Sequence, residues 1–156
     1  MVNKVPITRQ GLERLREELR HIMTVERPKN INAIAEARSH GDLAENAEYH
    51  AAKERQSLLS AKINELEIAI NESEVIEIDE LRGERIVFGT KVQLENLANS
   101  RKVTYQLVGP YESEPESGKI SVTSPLGKAL IGKEEGDTVK IKTPGGIQEF
   151  EVLEIN

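Results

Sequence analysis

Asp42 and Glu45 are the residues of this chain whose type and spacing best suit chemistry. They stand three positions apart in the stretch Ser39-His40-Gly41-Asp42-Leu43-Ala44-Glu45, a polar passage between two long segments of helical pattern. On a helix, residues three apart share a face with Cβ atoms about 5–6 Å apart. Two carboxylates so placed converge on one hard cation. Magnesium takes oxygen ligands at about 2.0–2.1 Å and keeps waters wherever the protein offers too few. A pair alone makes a weak, open site, suited to lending ligands to an ion half-held elsewhere. Two-metal phosphoryl chemistry, with ions about 3.5–4 Å apart, is the reaction type that uses such a loan. The same residues have a plainer reading. Asp-x-x-Glu at a helix start matches a capping box in all but the Ser/Thr identity, with Asp42 as a cap contributing about 1 kcal/mol. The motif by itself favours the cap.

Around this pair stand Arg38 on one side and Lys53 on the other, a basic spot able to hold a phosphate backbone or, more plainly, two solvated helix charges paired with Glu36 or Glu54. His40 and His50 flank the stretch. With no cysteine and no HExxH pattern, a zinc site is not expected, and both read as surface residues. There is no glycine-rich phosphate loop, no dinucleotide fingerprint and no nucleophile elbow. The chain does not read as a self-contained enzyme.

The elements that must position the two acids follow from periodicity. Thr8 suits a helix N-cap, and Leu12, Leu15, Leu19 and Ile22 recur at spacings of three and four. Pro28 predicts a kink or short break, after which Ile31, Ile34 and Ala35 resume the pattern. Gly41 suits the left-handed position past a helix end. A second helix is expected from Asp42, with the seam Tyr49, Ala52, Gln56, Leu59, Ile63, Leu66, Ile70. A tight connection makes the two helices antiparallel, and arms of roughly 30 residues give a hairpin about 45 Å long at ~1.5 Å per residue.

Beyond about Asp79 the period becomes two. GERIVFGTKVQLENL, RKVTYQLVGPY, KISVTS, DTVKIKT and IQEFEVLEIN alternate apolar and polar residues between turn signals. Ser124, Pro125 and Gly132 mark the start and end of one short helix. Val75, Ile76 and Ile78 offer a further strand. The expectation is an α+β chain: residues 1–79 a long antiparallel coiled-coil hairpin, residues 80–156 a small antiparallel β-sheet with one short helix.

The composition agrees. Of 156 residues, 37% are hydrophobic and 31% charged, so part of the chain buries only a narrow stripe. The net charge of −6 disfavours a generic basic nucleic-acid surface. Nucleic-acid contact must then be local or made through a partner. No run spans a membrane and none reads as a signal peptide, which gives a soluble cytoplasmic protein as the expectation.

GDLAENAEYHAAKERQ resembles the tip signature of the bacterial Gre transcript-cleavage factors, and SPLGKALIGKEEGDTVKIKTPGG resembles the signature of their C-terminal domain. PITRQGLERLREELRHI and RPKNINAIAEAR are similar as well, so the resemblance spans the chain, with the GreA subgroup the nearest fit. It implies a hairpin that enters the secondary channel of RNA polymerase and an FKBP-like C-terminal domain on the channel rim. The partner is then RNA polymerase, with the nascent RNA 3′ end contacted indirectly and no membrane; a monomer is expected. It also implies that Asp42 and Glu45 assist the polymerase's own cleavage of backtracked RNA. They would share a Mg²⁺ with it, and no cofactor would be held stably by the chain alone. Arg38 and Lys53 fall on the patch that steadies extruded RNA. Ala44 departs from the polar or basic residue common there, and Lys53 from an arginine, losing the planar fork. Rival readings are a channel-binding inhibitor, a prolyl isomerase and a coiled-coil scaffold. The isomerase needs an aromatic-lined pocket, and Phe88, Tyr105, Tyr111 and Phe150 are scattered.

Overall fold

The computed structural model describes residues 4–77 and 83–156. It forms two compact units, Leu12–Glu72, and Met1–Gly11 together with Ser73–Asn156. The expected boundary between residues 79 and 80, and the expected strand residue Ile78, lie outside the described residues.

The first unit is a helical hairpin. Helix α1 runs Arg9–His21, a π-helical turn takes Ile22–Glu26, α2 runs Arg27–Arg38, and α3 runs Ala47–Glu72. Leu15 and Ile22 are buried on one arm, and Ala52, Leu59, Leu66 and Ala69 on the other. The predicted seam of α3 holds throughout, with Tyr49, Gln56, Ile63 and Ile70 half-buried between those residues.

The interruption before Pro28 is the π turn, in which the Arg27 N–H reaches back to the Ile22 carbonyl. Proline has no N–H, and its ring crowds the carbonyl four residues earlier; the wider turn just ahead removes that conflict without ending the helix. It also shifts the phase of everything downstream. The buried residues of α2 are Asn30, Ile34 and Ala37. Ile31 and Ala35, expected in the seam, are exposed. A helix advances about 100° per residue, so the one extra residue carries the apolar face past them.

The second unit holds two sheets. Strand β1 (Val5–Ile7) pairs in parallel with β2 (Ser73–Val75). The larger sheet contains β3 (Lys91–Asn96), β4 (Lys102–Val108), β5 (Lys119–Ser121), β6 (Thr138–Thr143) and β7 (Gly146–Ile155), in the order β5-β4-β3-β7-β6. Its four long strands pair antiparallel, as the alternation predicts. The short edge strand β5 runs parallel to β4. Parallel neighbours need a crossing rather than a tight hairpin. Residues 109–118 make it, through 3-10 turns at Pro110–Glu112 and Pro115–Ser117. Residues 83–90, read as the start of a strand, form none, although Ile86 is fully buried.

Helix α4 (Pro125–Leu130) starts where the sequence predicts: Ser124 Oγ accepts the Gly127 N–H at 3.0 Å. Leu130 of α4 joins Val92, Leu94, Leu107, Val139, Phe150 and Val152 in the core. Each such aliphatic side chain contributes about 1.5–3 kcal/mol of burial.

The first turn of α1 is clasped within this unit. Glu112 Oε1 accepts the backbone N–H of Thr8 at 2.7 Å and of Gly109 at 3.0 Å, while its Oε2 accepts the Thr8 hydroxyl hydrogen. The same hydroxyl oxygen caps α1 by accepting the Gly11 N–H at 3.0 Å. A Cβ at position 11 would stand 2.2 Å from Glu112 Oε2, so an alanine there would have to push the carboxylate aside.

Candidate functional site, the hairpin tip

Helix α2 ends at Arg38, and Gly41 then turns the chain with φ +110, a conformation that favours glycine. Helix α3 does not start at Asp42. It starts at Ala47, and its cap is Asn46, whose Oδ1 accepts the Tyr49 N–H at 3.1 Å. The Asn46 carbonyl accepts the His50 N–H at 3.1 Å, the first bond of the helix. The capping-box reading of Asp42 and Glu45 is therefore wrong. Asp42-Leu43-Ala44-Glu45 forms a loop, exposed at every residue. Asp42 and Glu45 therefore share no helical face; they stand three positions apart in one short loop.

Within that loop Asp42 Oδ1 accepts the Ala44 N–H at 2.9 Å, an Asx turn. His50 Nε2 lies 3.3 Å from the Ala44 carbonyl oxygen, and His40 Nδ1 pairs with Glu48 at 3.1 Å. Both histidines are exposed, as expected, yet each ties the loop region to α3.

Arg38 ends α2, and Lys53 lies in the second turn of α3. The Arg38 guanidinium sits 5.9 Å from the centroid of the Tyr49 ring. Lys53 lies one turn beyond Tyr49 on the same helix and donates to Gln56 Oε1 at 2.9 Å. Among the described residues neither forms an ion pair with Glu36 or Glu54. Tyr49 is half-buried in the seam, and it also carries Arg38, a cation–π contact worth about 0.5–1 kcal/mol at an exposed site.

Asn46 is the tip residue that sequence reasoning missed. Its Nδ2 donates to the Ala37 carbonyl at 2.6 Å, across the hairpin. The available signal was an asparagine three residues before Tyr49, the first seam residue of α3, as good a cap as the acid four residues earlier.

No group of three or more His, Cys, Asp or Glu side chains among the described residues is arranged to hold a metal. No helix among the described residues is long and apolar enough to cross a membrane.

Comparison with known proteins matches both units. Residues 5–75 match the family model described as transcription elongation factor, N-terminal. Residues 81–156 match that described as transcription elongation factor, GreA/GreB, C-term. A protein named transcription elongation factor GreA from Syntrophus aciditrophicus is 54% identical over 154 residues, covering 99% of this chain and 96% of its own length. The protein of that name from Anaeromyxobacter sp. is 51% identical over 154 residues, covering 99% of this chain and 93% of its own. That from Methylococcus capsulatus is 49% identical over 155 residues, covering 99% and 98%.

Proposed function

The chain belongs to the GreA/GreB family of transcription elongation factors, and from that premise we propose that it stimulates RNA polymerase to cleave the 3′ end of backtracked RNA. The hairpin enters the secondary channel, and the second unit grips the channel rim. The catalytic centre belongs to the polymerase; this chain is an accessory that lends it two acids.

The observation that carries the reading is that Asn46, not Asp42, caps α3. Asp42 and Glu45 are thereby released from capping duty at the end of a long arm. An exposed acidic pair is costly in self-repulsion and contributes little to folding. Its place at the tip makes sense where a phosphoryl-transfer site lacks ligands.

In that site Asp42 and Glu45 would bind a Mg²⁺ shared with the polymerase. When bound, such an ion activates water and neutralises charge on the scissile phosphate. Asp42 presents its carboxylate from the Asx turn, and Glu45 presents its own from an exposed loop position. Arg38 and Lys53 hold extruded RNA by its phosphates, which orients the chain without reading its sequence. Lys53 acts there as a point charge on a flexible stem.

The test is cleavage of labelled RNA in a backtracked elongation complex with Mg²⁺, comparing the wild-type chain with Asp42→Asn and Glu45→Gln. Asparagine keeps an acceptor for Ala44 N–H, and glutamine keeps the size of glutamate. Both variants should retain polymerase binding and lose cleavage by at least about 100-fold, the scale of removing one charge-stabilising group from an active centre. Full activity in both would defeat the proposal.

A further inference from the structure

The acids sit on a loop rather than on a helix, so their placement depends on what holds the loop's two ends. One side chain bonds to the backbone at both ends. Asn46 Nδ2 donates to Ala37 O at 2.6 Å in the last turns of α2, and its Oδ1 accepts Tyr49 N–H at 3.1 Å in the first turn of α3. Ala37 is buried, at 2% exposure, so the α2 end of this link is fixed in the seam. Only one orientation of the amide serves both partners, because a carbonyl needs a donor and an N–H needs an acceptor. Aspartate or serine can cap as well as asparagine, but a carboxylate has nothing to donate to Ala37.

We infer that Asn46 is a positioning residue for the cleavage reaction: it joins the two helix ends and thereby sets where Asp42 and Glu45 are presented. This rests on the transcript-cleavage reading above. The closed loop of residues 38–45 has few remaining freedoms. Gly41 makes the turn, Asp42 holds Ala44 N–H, and His50 faces Ala44 O. Without the link, the loop ends are tied across the tip only by the exposed Arg38–Tyr49 and His40–Glu48 contacts, among those described above. A misplacement of about 1 Å at a reacting centre can lower a rate by about 100-fold.

The experiment uses the full chain with Asn46→Asp, and separates rate from affinity. Factor is titrated into a backtracked RNA polymerase complex, and amide exchange at Tyr49 is measured on the free protein. The expected result is a maximal cleavage rate at least tenfold lower, a half-saturating concentration within twofold of wild type, and a Tyr49 amide still protected. A wild-type maximal rate would overturn the inference. So would a loss seen wholly as a raised half-saturating concentration, which is the mark of a merely damaged hairpin. If Asn46→Asp loses Tyr49 protection, Asn46→Ser, a cap without an amide, must give the same split of rate and affinity. Failure of the wild-type chain to stimulate cleavage would overturn the function itself, and that control keeps the two failures apart.

Discussion

Asn30 of α2 donates its side-chain amide to the backbone carbonyl of Ala52 in α3 at 3.0 Å, from a position only 4% exposed. A polar group in an otherwise apolar seam is tolerated only when it is bonded. Here its partner is a single carbonyl on the opposite helix. A one-residue slip of either helix would break the bond and leave a buried amide unpaired. The pair therefore selects the register in which the tip residues meet, as buried asparagines do in coiled coils.

Asn30→Ala removes one net hydrogen bond and should lower stability by about 1 kcal/mol. Asn30→Asp sets a carboxylate against a carbonyl oxygen and should cost more than about 3 kcal/mol. Urea unfolding of the full chain, followed by far-ultraviolet circular dichroism, ranks the two. Equal cost would show that the Asn30 amide makes no bond of consequence.

Capping at the tip predicts an asymmetry between two neighbours. Asn46→Ala loses the cap and the cross-hairpin donor, and should cost about 1–3 kcal/mol. Asp42→Ala loses only an exposed Asx turn and should stay within about 0.5 kcal/mol of wild type. The same denaturation experiment decides. A large loss in Asp42→Ala would restore that residue to a structural role.

The clasp at Glu112 makes three bonds at once. Glu112→Ala should therefore cost about 2–4 kcal/mol, and Thr8→Val about 1–2 kcal/mol. Gly11→Ala should resemble Glu112→Ala, because the added methyl displaces the carboxylate. Hydrogen exchange at Leu107 and Val152 reports on the second unit in each variant. Wild-type protection in Gly11→Ala would mean that the clasp adjusts freely.

Arg38 lies over the Tyr49 ring, and Lys53 follows Tyr49 by one turn of α3. Removing either charge should weaken a phosphate contact by about 1 kcal/mol, roughly fivefold in cleavage at limiting factor. The deficit should shrink as added salt screens the wild-type contact. Lys53→Arg should act in the opposite direction, since the planar fork grips phosphate in two places. Indifference of cleavage to all three changes would remove both residues from the RNA path.

Much of this molecule could be read from residue order. The seam from Tyr49 to Ile70 alternates spacings of three and four without a break, and no other element tolerates that pattern. The long strands announced themselves by alternation, and Ser124-Pro125 announced α4. The failures have physical causes. The π turn depends on where Pro28 falls relative to a packed seam, so the burial of Asn30 and Ala37 in place of Ile31 and Ala35 is a tertiary outcome. The start of α3 was ambiguous because Asp42 and Asn46 both cap well. Folding chooses Asn46, whose amide can also reach Ala37. Strands β1 and β2 are three residues each, too short to show a period, and they pair across the whole hairpin.

That last pairing bears on how the chain is made. Val5 must wait for Ser73 before it has a partner. Synthesis at about 5–20 residues per second leaves the N-terminal strand alone for several seconds. Closing so long a loop from a disordered chain costs entropy that grows with its length. The helices between need only local contacts and can zip up first. Once zipped, they bring Gly11 and Ser73 to the same end and replace a floppy loop with a stiff clip. The helical arm is thus a folding aid as well as a reach. A fragment that begins after the arm would be born without the Val5–Ile7 strand and without Thr8, the partner that Glu112 needs.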